Sequence, residues 1–203
     1  MIRVLKFISG EVRGMHQAAF VVASFSLGSQ LLALVRDRLL AASFGAGHVL
    51  DIYYAAFRVP DFIFATVASL FSLYALLPIL SRYNDGDGEG AMVSFLRVVL
   101  MVFFAGMSLV SCIGFLLAPW LAHFVAPGIV ADPQSQHDLI LLMRIILLQP
   151  IFLGASNTIA SLTQLHHRFV LYSVSPLLYN LGIIFGAVVL NPYMGIAGLG
   201  YGV

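Results

Sequence analysis

Six ionisable side chains stand inside or at the edges of one apolar run between Ser26 and Asp61, and they constrain the chain more than any other feature. They are Arg36, Asp37, Arg38, Asp51, Arg58 and Asp61. An ionised group near hydrocarbon costs roughly 2.5–3.5 kcal/mol on insertion scales, so such groups persist where they face a wet cavity or pair with one another. The surroundings are indeed hydrocarbon-like: 61% of the 203 residues are hydrophobic and only 9% are Asp, Glu, Lys or Arg, against about 45–50% and about 25% in a soluble domain. The composition is that of an integral membrane protein, and the charged run reads as the polar lining of a membrane transporter. A net charge of +1 leaves no basic face able to neutralise a row of phosphates, so no nucleic acid is expected as partner. With Cys112 alone, neither an internal disulfide nor a cysteine metal cluster is possible, and the residue reads as a small buried hydrophobe.

The apolar periodicity divides the chain into an all-α, polytopic membrane bundle. Residues 1–17, with Arg3, Lys6 and Arg13, form a cytoplasmic or interfacial lead-in, and residues 18–203 form a transmembrane lobe. Spans are expected at 18–43, 58–81, 92–118, 139–163 and 169–190, each near or above the roughly 20 residues needed to cross the hydrocarbon. The run 193–203 is too short to cross and reads as the start of a sixth span, so the chain is expected to be the N-terminal part of a longer one. In the first span Ser26, Ser29, Gln30, Ala33 and Asp37 recur at helical spacing, a small and polar stripe with Arg36 at its margin.

The Gly45-Ala46-Gly47 break ends that span, with His48 to Tyr54 expected as a short outer turn. Pro119 to Asp138, free of Lys and Arg, is expected as a longer outer connection. Arg3, Lys6, Arg13, Arg82, Arg97 and Arg168 then fall on the inner side, which puts the N-terminus in the cytoplasm. The loop Arg82 to Gly90 alternates Asp85, Asp87 and Glu89 but lacks a calcium-loop pattern and reads as a solvated turn. Adjacent His166 and His167 cannot share a helix face, so no metal site is expected there. Gly182 and Gly186 carry the spacing of close helix packing. No serine–histidine pair, carboxylate pair or metal-ligand set appears at membrane depth, so neither an enzyme nor a cofactor is expected.

Several short segments resemble the MurJ (MviN) family of lipid II flippases within the larger group of multidrug and polysaccharide exporters. The most specific are Val35-Arg36-Asp37, Phe44-Gly45-Ala46-Gly47, Asp51 with Ala56-Phe57-Arg58-Val59-Pro60, and Leu77-Pro78-Ile79-Leu80. Weaker echoes are Ala126-Pro127-Gly128, Arg168-Phe169, and Ser175-Pro176-Leu177-Leu178 with Asn180. The resemblance implies a first lobe of a fourteen-helix, two-lobed protein in the bacterial cytoplasmic membrane. It also implies a lipid-linked anionic substrate of the undecaprenyl-pyrophosphate type, membrane lipids around the lobe, and a C-terminal lobe as partner. By the same likeness Ser29, Arg36, Asp37 and Asp51 match cavity-lining positions. Gln30 stands where the family usually has an arginine, and Phe64, Ala65 and Ser69 stand where it has paired arginines and a glutamate.

The candidate substrate-binding set is therefore Ser29, Gln30, Arg36, Asp37, Asp51 and Arg58. Each has a plainer structural alternative: Arg36 snorkelling or pairing with Asp37 or Asp51, Asp51 capping the second helix, Arg58 bridging Asp61 or Asp51. The expected function is flipping of lipid-linked peptidoglycan precursor by alternating access. The alternatives are export of another lipid-linked oligosaccharide or a drug, or a non-transporting membrane scaffold.

Overall fold

A computed structural model describes residues 15–45, 47–70, 88–165 and 169–203. Among these residues the chain is helical with no strand: α1 Met15–Phe44, α2 His48–Leu70, α3 Gly88–Val125, α4 Pro127–Val130, α5 Pro133–Ile146, α6 Gln149–Leu165 and α7 Phe169–Phe185. A π-helical turn Gly186–Leu190 and the short α8 Asn191–Met194 and α9 Ile196–Tyr201 follow. Among the described residues four stretches are long and apolar enough to cross a membrane: Ala19–Phe44, Arg97–Val125, Pro133–Asn157 and Ser173–Met194. The protein is an all-α, multi-pass membrane bundle. The span expected at 58–81 begins within α2 and then leaves the described residues, as do Arg82 to Asp87 of the expected Arg82 to Gly90 loop and the pair His166-His167; Gly88 to Gly90 of that loop are instead the start of α3. The lead-in overlaps α1, which already begins at Met15.

Without a water-exclusion force between helices in lipid, close backbone approach decides which helices pack. α2 brings Ala55 and Ala56 against α3 and α5, where Ala118, Ala122, Leu139, Leu142 and Met143 are fully buried. α1 packs chiefly along α7. At the far end, Gly195 adopts φ +59° and turns α9 back on the π turn and α5. A Cβ on Gly202 would sit 2.6 Å from the Gly186 Cα, and one on Gly182 would sit 2.6 Å from the Gly202 carbonyl oxygen. Gly182 and Gly186 are therefore packing positions, as their spacing indicates.

Two expected connections are helices instead. Gly45, at φ +67°, closes α1 through its N–H to the Ala41 carbonyl at 2.9 Å, and the Gly47 carbonyl immediately accepts from Leu50. His48 to Tyr54 is thus the first part of α2 and not an outer turn; Tyr53 is core, edge-on to Phe57 at 4.9 Å. The region Pro119 to Asp138 is largely helical too. α3 runs through Pro119 to Val125, and α5 starts directly after Asp132, which caps it by accepting from the Ser135 N–H at 2.9 Å with Pro133 in the first turn. A proline inside a helix deprives the carbonyl four residues back of its donor. For Pro119 that carbonyl is Phe115, and Arg144 Nε donates to it at 3.3 Å from α5 while stacking over the Phe115 ring. Arg144 thereby supplies, from α5, the donor that Pro119 cannot. The fourth hydrophobic run is interrupted at Leu147-Leu148, just ahead of Pro150, so it is two consecutive helices, α5 and α6. Cys112 is exposed on the outside of α3 and is not buried.

Candidate functional site

At about 100° per residue, α1 presents three faces. Leu27, Leu31 and Val35 are exposed and apolar, with exposed Arg38 on the same side toward the helix end. Ser29 and Leu40 are buried against α7, and Arg36 shares their side of the helix. Ser26, Gln30 and Asp37 form an exposed polar row between those two faces. The single stripe expected from the sequence is split: Ser29 and Arg36 turn to a neighbouring helix while Gln30 and Asp37 stay open.

The Arg36 guanidinium is the centre of the arrangement. Nε donates to Asp37 Oδ1 at 2.9 Å, and Nη2 lies 2.8 Å from the same oxygen. Nη1 donates to Asn180 Oδ1 on α7 at 2.7 Å. The Asn180 amide reaches three acceptors in turn, Pro176 O at 3.0 Å, Ser29 Oγ at 3.2 Å and Ser29 O at 3.4 Å. Arg36 keeps 22% of its side chain exposed and Asp37 keeps 52%. A guanidinium carries five N–H donors, so among the described residues one hydrogen on each terminal nitrogen is left without a partner. The Arg36–Asp37 pairing is the plainer reading of Arg36 realised, and it does not consume the cation.

α2 carries the second part of the site. Asp51, Tyr54, Arg58 and Asp61 follow at i, i+3, i+7 and i+10 and are all exposed, whereas Tyr53 and Pro60 on the opposite side are buried. Asp51 lies in the first turn, three residues after the helix starts at His48, so it complements the dipole without being the cap. Among the described residues Asp51 makes no ion pair with Arg36 or Arg58. Arg58 Nη1 instead donates to the Val125 carbonyl at 2.7 Å, at the open end of α3. The expected bridge to Asp61 or Asp51 is absent because this long-range carbonyl, left without an intrahelical donor, lies within reach. Tyr179 accepts from Gln149 Nε2 at 3.1 Å, which joins α6 to α7 by a polar contact. Phe64 is half-buried and Ala65 is exposed.

Asn180 had appeared only as a faint sequence echo. Its signal was present: an amide at membrane depth, one turn past Pro176, is costly unless every polar atom finds a partner.

A separate polar chain lies at the start of α5. His48 Nε2 meets Ser135 Oγ, and Ser135 Oγ donates to Asp132 Oδ2 at 2.6 Å. Because the hydroxyl proton goes to Asp132, His48 must be the donor in its contact, so the serine is not activated as a nucleophile. Hydrogen bonds from the Ser135 side chain and backbone, with a smaller contribution from His48, hold the Asp132 carboxyl below its ordinary 3.8. Among the described residues no three His, Cys, Asp or Glu side chains stand together as a metal set.

A family model described as lipid II flippase MurJ matches residues 40–203. The chain is 26% identical over 180 residues to the lipid II flippase MurJ of Burkholderia cenocepacia, covering 89% of this chain and 35% of that protein. It is 30% identical over 167 residues to the probable lipid II flippase MurJ of Rhizobium tropici, with 80% and 31% covered. The probable lipid II flippase MurJ of Thermotoga maritima is 28% identical over 169 residues, with 80% and 34% covered. The chain thus spans about a third of the length of the curated relatives it matches.

Proposed function

The chain belongs to the MurJ family of lipid II flippases, and from that membership we propose that it forms the first lobe of a flippase for a lipid-linked pyrophosphate. It would act in the bacterial cytoplasmic membrane with its N-terminus inside. The observation that carries the reading is Arg36: a guanidinium on a membrane-spanning helix, fixed from two sides, with one N–H on each terminal nitrogen unpartnered among the described residues and an exposed polar row beside it. A pyrophosphate moving through a low-dielectric cavity needs such a partner, and the planar fork of arginine offers a paired contact that a lysine point charge does not.

In this reading the exposed polar rows of α1 and α2 face a second lobe across a water-filled cavity. Arg36 meets the pyrophosphate, Gln30 and Ser26 border the headgroup, and Asp51, Arg58 and Asp61 line the facing wall. Asp37 pairs with the guanidinium through a single oxygen. No bond is made or broken; alternating exposure of the cavity to the two sides moves the headgroup while the tail stays in lipid. Ser29 is buried against Asn180, so it holds α1 to α7 and does not touch the substrate.

Gln30, Phe64 and Ala65 favour a second reading within the same family. They remove positive charge from the cavity wall, which suits another lipid-linked oligosaccharide or a drug whose headgroup carries less negative charge. The test is replacement of the native flippase by the full-length protein in depleted cells. Wild type restores labelled precursor to the outer leaflet, and Arg36→Ala reduces the initial rate at least tenfold with unchanged membrane levels of protein. Equal restoration by both contradicts the assignment of Arg36. Restoration by neither, with export of a different lipid-linked glycan, supports the second reading.

A further inference from the structure

We propose that Asn180 is the positioning residue for Arg36, setting the plane and the free edge of the guanidinium that meets the pyrophosphate; this rests on the reading of Arg36 given above. The amide orientation is fixed by its surroundings. Pro176 O and Ser29 O accept only, so they require the NH2 end, and Arg36 donates only, so it requires the oxygen. A flipped amide would lose all of these contacts at once. Asn180 is 5% exposed, so no bulk water is at hand to replace them.

The choice of an amide has an electrostatic consequence. Arg36 already shares an oxygen with Asp37, the next residue on its own helix. A second carboxylate in place of Asn180 would give the group a net negative charge and repel an anion. An apolar residue would leave Arg36 free to rotate onto both oxygens of Asp37 and close the pair on itself. A neutral acceptor on the neighbouring helix holds the guanidinium on a single Asp37 oxygen and leaves the cation available. Asn180 is therefore more than an interhelical contact: Ser29 alone would satisfy that role, yet its shortest bond is the one to Arg36.

The experiment uses purified full-length protein in mixed micelles and two probes with the same tail, undecaprenyl pyrophosphate and undecaprenol. The ratio of their affinities isolates the headgroup. Asn180→Ala is expected to lower that preference about tenfold while undecaprenol affinity stays within about twofold, the loss of one charge-assisted hydrogen bond. Arg36→Ala lowers it at least as far, and the double variant falls no further than Arg36→Ala, because one residue acts through the other. An unchanged preference in Asn180→Ala with a lost preference in Arg36→Ala overturns the role of Asn180 and leaves that of Arg36 standing, as do additive losses in the double variant. An unchanged preference in Arg36→Ala sinks the reading of Arg36 itself. If Asn180→Ala does not fold, Asn180→Asp decides: its shape and its acceptor toward Arg36 remain. A preference reduced below wild type supports the proposal, and one equal to wild type overturns it.

Discussion

Pro119 has no N–H to give the Phe115 carbonyl, and Arg144 supplies the missing donor from another helix. In water such a carbonyl would find solvent; in hydrocarbon it would remain orphaned. Arg144→Ala is therefore expected to destabilise the full-length protein by about 1 kcal/mol, the net worth of one hydrogen bond. Pro119→Ala in the same chain should recover most of that loss by restoring the intrahelical bond. The check is thermal unfolding of the single and double variants in detergent; a double variant no more stable than Arg144→Ala contradicts the pairing. The same logic explains why side-chain partners were hard to read from spacing. Arg58 stands three residues before Asp61 and seven after Asp51, a pattern that suggests ion pairs along its own helix. Its partner is a main-chain oxygen of α3, sixty-seven positions away and invisible to any local pattern.

At the scale of elements, the helices of the lobe were legible because 3.6-residue periodicity and apolar length are strong signals. Their ends were not. Gly45 and Gly47 mark where the chain reverses, but the reversal takes so little chain that α2 begins at once at His48. Pro119 and the Asp132-Pro133 pair looked like breakers; one is tolerated within α3 and the other starts α5. The α5 start is also pinned to the start of α2, through His48, Ser135 and Asp132. The carboxyl of Asp132, depressed below its ordinary 3.8 in the folded protein, stabilises the fold in its ionised form. That contribution is complete above the unfolded value and is lost as pH falls through the lower folded one. Wild type is thus expected to melt above Asp132→Ala at pH 7, with the gap closing only as the pH drops below about 3.8. A gap that stays constant to pH 3 contradicts this account of the cap.

Across the whole molecule, the division of faces carries the functional argument. One side of α1 packs on α7, one is apolar and exposed, and one is polar and exposed; α2 repeats the polar exposure with Asp51, Arg58 and Asp61. In the proposed reading this polar exposed wall is the side that a second lobe encloses. The sequence stripe foreshadowed this wall, yet it merged two faces that only the packing of α1 on α7 separates. The measurement that tests the wall most directly is labelling of single cysteines by a membrane-impermeant maleimide in the full-length protein, with Cys112→Ser as background. Gln30→Cys and Asp61→Cys should react readily, and Leu31→Cys, one residue from Gln30 but on the apolar face, should not. Fast labelling of Leu31→Cys, or protection of both Gln30→Cys and Asp61→Cys, would mean that the charged face looks into lipid or protein and that no aqueous cavity lies against it.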